Sequence, residues 1–251
     1  MAGDVYLSLD MDWAPDFVLE DLRGLLGTAR PPCTLFHTHK SPAVGRLLEL
    51  KGVECSIHPD FTKTDDPEGR IAELAGMFPS AKGARCHRLY YHSGLLPIFH
   101  RAGLLYLSND LRFLEPGLRP RFDWSGLIHL PIYWEDDVHA VYFGGAYDLQ
   151  ALNLEQEGLK VFNFHPIHIF LNTSDLAEYR RAKPFLADEA EARKRQQGRR
   201  GIRTLFLELL RRLEGNKPAT LCDLAEEFAR GNRYQGRFKD YVARLGKERT
   251  P

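Results

Sequence analysis

Short apolar runs alternate with longer stretches of helical spacing along the first two-thirds of the chain. Val5-Tyr6-Leu7-Ser8-Leu9 is strand-like and runs into Asp10, after which residues 16–26 repeat their apolar positions with a helical period. The pattern then recurs as strand 33–36 and helix 42–50, strand 53–57 and helix 67–77, strand 84–86 and helix 94–101, and strand 104–107. Two later runs, 127–130 and 159–164, also read as strands. Strands that alternate with helices predict a parallel sheet with right-handed crossovers. The run 104–107 is apolar without alternation, as a strand covered on both faces should be. These features favour an α/β fold of the (β/α) barrel type over an open doubly wound sheet.

From 188 to 214 the chain becomes charged and helical, with arginines interspersed among Leu205, Phe206, Leu209, Leu210 and Leu213, which reads as an amphipathic helix with a solvated basic face. Thr220 precedes a second helical stretch, 220–230, as an N-cap. We divide the chain into a barrel over 1–185 and a helical extension over 186–251 packed on it.

Composition narrows the function. Of 251 residues, 43% are hydrophobic, enough for a sizeable core. Lys+Arg and Asp+Glu are 34 each, and this zero formal charge argues against a nucleic-acid partner, which needs surplus cations. No apolar run reaches the ~18 residues of a membrane span. Residues 1–7 lack a basic region followed by a long apolar stretch, and the four cysteines (Cys33, Cys55, Cys86, Cys222) form no C-x-x-C pair. Both features predict buried free thiols and a cytoplasmic protein.

The chemistry lies just after the strands, where parallel α/β folds build their sites. Asp10-Met11-Asp12 follows the first strand, His37 and His39 the second, His58 the third, Arg85 and His87 the fourth, and His165 with His168 the last. A carboxylate with two imidazoles suits a catalytic divalent metal: zinc foremost, or cobalt, nickel or iron. A second carboxylate held ionised by an arginine serves as general base, and a histidine opposite serves as general acid. Asp10, Asp12, His58, Arg85, His87 and His165 supply these groups. In 130–137, Tyr133 and Trp134 stand beside Glu135, Asp136 and Asp137, a combination suited to stacking a sugar ring and binding its hydroxyls. The plain alternative is a packed aromatic edge with a solvated acidic turn.

Five segments together resemble the motifs of NodB-like polysaccharide deacetylases, the family 4 carbohydrate esterases. They are Ser8-Leu9-Asp10-Met11-Asp12-Trp13-Ala14, Glu54-Cys55-Ser56-Ile57-His58, Gly83-Ala84-Arg85-Cys86-His87, Gly103-Leu104-Leu105-Tyr106-Leu107-Ser108-Asn109 and Phe162-Asn163-Phe164-His165-Pro166, in family order over residues 5–168. With segment 131–137 the chain is most similar to the WbmS group, linked to O-antigen biosynthesis. The resemblance implies a distorted (β/α)7-type barrel that hydrolyses an N-acetyl group on a carbohydrate. It implies Asp10 as base, Arg85 as its brace, His165 as acid, and Asp12 and His58 as metal ligands. The family's second metal histidine falls at Thr62, so His87 is the expected third ligand, with His168, His37 and His39 in reserve. Trp13, Tyr133, Trp134, Glu135, Asp136 and His168 are the expected substrate contacts. Three other readings compete: metal-free amidohydrolysis, a non-catalytic carbohydrate-binding barrel, and a phosphotransferase with Asp10 as nucleophile.

Overall fold

The computed structural model describes residues 4–144, 147–214, 219–236 and 238. Nine strands form one curled sheet: β1 (Val5–Asp10), β2 (Cys33–His37), β3 (Val53–Ile57), β4 (Gly83–Ala84), β5 (Tyr106–Leu107), β6 (Arg121–Phe122), β7 (Ile128–His129), β8 (Ile132–Glu135) and β9 (Lys160–Phe164). Their spatial order is β6-β7-β5-β4-β3-β2-β1-β9-β8, parallel throughout except for the β6–β7 pair. The chain beyond β5 bends back to β8: Ile132 N donates to Asp110 O and Arg112 N to Ile132 O, both at 2.8 Å. The sheet thus curls until one edge meets its own far strand, the distorted barrel expected from the sequence.

The helices start where residue chemistry sets them. α1 spans Asp16–Ala29, α2 Pro42–Leu48 and α3 Pro67–Met77. Ser41 Oγ caps α2 by accepting from Val44 N, Asp66 Oδ1 caps α3 by accepting from Gly69 N, and a proline sits at the first turn of each. α4 (Leu96–Arg101), α5 (Asp136–Tyr142), α6 (Pro166–Leu171) and α7 (Leu176–Ala182) follow. Gly83 is required by packing, because a Cβ there would run into the Tyr106 ring.

Two differences from the sequence reading have physical causes. The single helix expected over 188–214 is two, α8 (Glu189–Arg193) and α9 (Ile202–Leu213). Between them Gln197 Oε1 accepts from Ser174 N at 2.8 Å and Asp175 N at 3.1 Å, which ties the chain to the loop after α6. At Gly201, any Cβ would strike Asn172 O. The second difference is β8 with α5, two elements that the apolar periodicity above does not predict; all four β8 residues are buried.

α9 buries Ile202, Leu205, Phe206, Leu209 and Leu210, as its amphipathic spacing predicts. α10 (Leu221–Gly231) carries the expected Thr220 cap. Its first amides reach the N-terminal end of the barrel: Leu221 N donates to Thr34 Oγ1 at 3.0 Å and Cys222 N to Glu54 Oε2 at 2.9 Å. All four cysteines are free, with Cys33 and Cys86 buried. No helix among the described residues is long and apolar enough to cross a membrane.

Trp134 is fully buried between Phe162, Phe164 and His139. Trp134→Ala is expected to cost about 3–5 kcal/mol through the cavity it leaves, measured as a lower urea midpoint. An unchanged midpoint would place this ring outside the core.

Candidate active site

The C-terminal ends of β1, β3, β4, β8 and β9 deliver polar side chains to one place. Deepest lies Asp10, whose Oδ1 accepts from Arg85 Nη1 at 2.9 Å and whose Oδ2 accepts from Asn163 Nδ2 at 3.0 Å. Arg85 is fully buried and fixed on every side. Its Nε donates to Ser108 O and its Nη2 to Ser108 Oγ, both at 2.8 Å, its Nη1 also reaches Asn163 Oδ1 at 2.5 Å, and its guanidinium lies 4.3 Å from the Phe36 ring centre. Burial alone would raise the Asp10 carboxyl. The charges of Arg85, His58 and His165 outweigh it and hold Asp10 below the usual carboxylate range. Asp10 is therefore an ionised carboxylate in a dry setting, suited to take a proton.

Asp12, His58 and His87 form the second group. Ligand atoms of the three lie within 4.8 Å of one another. Asp12 Oδ1 is 3.0 Å from His87 Nδ1 and 3.3 Å from His58 Nε2. Asp12 has φ 43°, a left-handed conformation uncommon for a residue with a Cβ, and Thr38 Oγ1 donates to its carbonyl. Arg88 and Leu89, just after His87, are left-handed as well. Burial opposes ionisation of Asp12, and the His58 and His87 imidazoles beside it reverse that and hold its carboxyl well below the usual range. Both ring nitrogens of His58 are buried without a hydrogen bond of good geometry. Two imidazoles and one carboxylate with orphaned nitrogens fit a divalent cation.

The third group is His165 with Asp136. Asp136 is fully buried at the start of α5, where it accepts from His165 N at 2.8 Å and pairs with His165 Nδ1 at 2.6 Å. Burial pulls the imidazole down, but the Asp136 carboxylate, with the charges of Asp137 and Asp12, more than compensates and raises His165 well above its ordinary value. His165 is then an imidazolium with Nδ1 occupied and Nε2 left for a ligand. Side-chain exposure separates the groups: 30% for Asp12, 21% for His87 and 12% for His165, against 3% for Asp10 and 1% for His58. Asp10 and His58 lie at the bottom, and His165, Asp12 and His87 open above them.

The structure brings together the six expected catalytic and metal residues. It corrects most of the expected substrate contacts. Tyr133 and Trp134 are fully buried, with Tyr133 Oη donating to Leu152 O at 2.9 Å, so neither offers a face to a sugar. Asp136 is sealed and holds His165. His168 is buried, bonded to Thr173 Oγ1 at 3.0 Å and pulled down to about 4 by burial, which makes it a neutral packing histidine. Trp13 is 48% exposed beside His87 at the mouth, and Glu135 borders the centre. The reserve ligands lie elsewhere: His37 stacks on Phe78, and His39 bonds Thr38. Thr62 gives both its N and its Oγ1 to Asp60 Oδ1. Sequence reasoning gave no role to Asn163 or Ser108. A lone asparagine in the wholly buried run Lys160-Val161-Phe162-Asn163-Phe164 was the available signal.

A family profile for WbmS-like polysaccharide deacetylases matches residues 7–183. Among solved structures, the chain is similar to a Bordetella bronchiseptica protein assigned as a polysaccharide deacetylase involved in O-antigen biosynthesis, with 27% identity, 84% of this chain and 91% of that one covered, and a TM-score of 0.79. A Mycobacterium smegmatis protein assigned as a polysaccharide deacetylase shares the fold at 16% identity, with 90% of each chain covered and a TM-score of 0.56. No curated protein matches. With a profile match over most of its length, the chain belongs to the WbmS-like polysaccharide deacetylases and is a hydrolase of that family.

Proposed function

We propose that this enzyme removes the acetyl group from an N-acetylated saccharide during synthesis of an O-antigen or similar surface polysaccharide, using a divalent cation held by Asp12, His58 and His87. The observation that carries the reading is a buried, braced carboxylate and a carboxylate-backed imidazole arranged around one Asp–His–His cluster. The O-antigen role is carried over from the Bordetella protein. The donor set suits zinc first, with cobalt, nickel or iron as alternatives.

Asp10 accepts a proton from the attacking water, while Arg85 and Asn163 keep its two oxygens oriented. Asp12, His58 and His87 would hold a divalent cation, which when bound would supply Lewis acidity toward the acetyl carbonyl and the water. His165 donates its proton through Nε2 to the departing amine, and Asp136 keeps the ring charged and aligned until then. Trp13, exposed at the mouth, offers an apolar face for the sugar.

Exhaustive chelation is expected to lower acetate release by about 10²-fold or more, with recovery on adding zinc or cobalt. His87→Ala is expected to lower bound metal in elemental analysis while the fold, followed by circular dichroism, persists. Full activity after chelation would favour metal-free amidohydrolysis. Binding of an acetylated sugar without acetate release would favour a non-catalytic barrel.

A further inference from the structure

Two carboxylates on the turn from β8 into α5 take no part in these steps. Glu135 is 5% exposed, and its Oε1 accepts from Asn163 Nδ2 at 3.0 Å. Asp137 Oδ1 is buried and, among the described residues, without a hydrogen-bond partner. Glu135 offers an oxygen within 4.8 Å of ligand atoms on both Asp10 and His165, and Asp137 does the same toward His165 and Asp136. Asp10 and His165 mark the two sides of the scissile bond, water on one and nitrogen on the other. A sugar that lays its acetamide between them brings the carbon bearing that nitrogen, and its neighbours, against this turn.

A buried carboxyl oxygen with no partner is costly in a protein without a ligand. A ligand hydroxyl removes that cost, because it both donates and accepts. Burial and the neighbouring Asp137 and Asp10 charges push Glu135 up to about 8, and burial also raises Asp137. Near neutrality the pair therefore holds a proton and presents both a donor and an acceptor.

We propose that Glu135 and Asp137 form a specificity subsite that hydrogen-bonds a free hydroxyl on the carbon next to the one bearing the scissile acetamide. The proposal rests on the deacetylase reading above and adds which part of the sugar the enzyme reads. The substrate class is then an acetamido sugar whose vicinal hydroxyl is unmodified.

The test uses the metal-loaded full chain and a panel of 2-acetamido and 3-acetamido hexopyranosides, each paired with its analogue lacking the vicinal hydroxyl. In the native protein the hydroxylated member should have the higher kcat/KM by about 10²-fold, because a site built to bond a hydroxyl discriminates strongly against its loss. In Glu135→Gln and in Asp137→Asn that ratio should fall at least about tenfold, whatever the absolute rate. The ratio of dissociation constants for the same pair, from calorimetry, should move in the same direction. A native ratio near one, or an equal ratio in native and Glu135→Gln proteins, overturns the subsite and leaves the deacetylase intact. Acetate release from none of the panel, with no binding either, overturns the deacetylase reading and the subsite with it.

Discussion

Asp10→Asn is expected to lower acetate release by about 10³-fold, within the range for removal of a positioned general base. Asparagine matches the shape of aspartate and keeps one oxygen, but it has no basic oxygen to take the water's proton. It also brings an amide N–H₂ into a site where both carboxylate oxygens accept, one from Arg85 and one from Asn163. One of those bonds becomes a donor–donor contact, at a stability cost of about 1–3 kcal/mol. Asn163 Oδ1 and Ser108 still hold Arg85, so the fold should survive. Assays well below the variant's melting midpoint separate lost chemistry from lost fold. Turnover at the native rate would remove Asp10 from the role of base.

The residues that work alone at a strand end were legible before the structure. Asp10, Asp12, His58, Arg85, His87 and His165 each follow a recognisable apolar run, and parallel topology brings such ends to one rim. Thr62 at the usual histidine position pointed to His87, which the structure places 3.0 Å from Asp12. What could not be read depended on partners distant in sequence. Tyr133 and Trp134 beside three acids looked like an exposed sugar platform, yet β8 pairs with β9 in the register Trp134↔Phe162 and Glu135↔Asn163. That pairing buries the aromatics and turns Glu135 toward Asn163 and Asp136 toward His165. Local pattern carries no information about such a register, because strand pairing joins residues about 28 positions apart.

Asp136→Asn tests the partner of His165 directly, through pH. In the native protein Asp136 raises His165 well above its ordinary value, so the imidazolium persists through neutral pH and activity falls only at higher pH. Without that carboxylate only the smaller contributions of the Asp137 and Asp12 charges oppose burial, the largest influence, and burial of a histidine favours the neutral ring. The variant's His165 then loses its proton at lower pH, and the alkaline limb of kcat/KM moves toward acid. The expected loss is about 10²-fold at pH 8, shrinking as the pH is lowered and the ring recharges. Asparagine can still accept from His165 N or from Nδ1–H, so geometry is largely kept while the charge is removed. A structural defect would depress the rate equally across the profile. A uniform loss, or an alkaline limb that stays in place, would mean that Asp136 orients His165 without setting its charge.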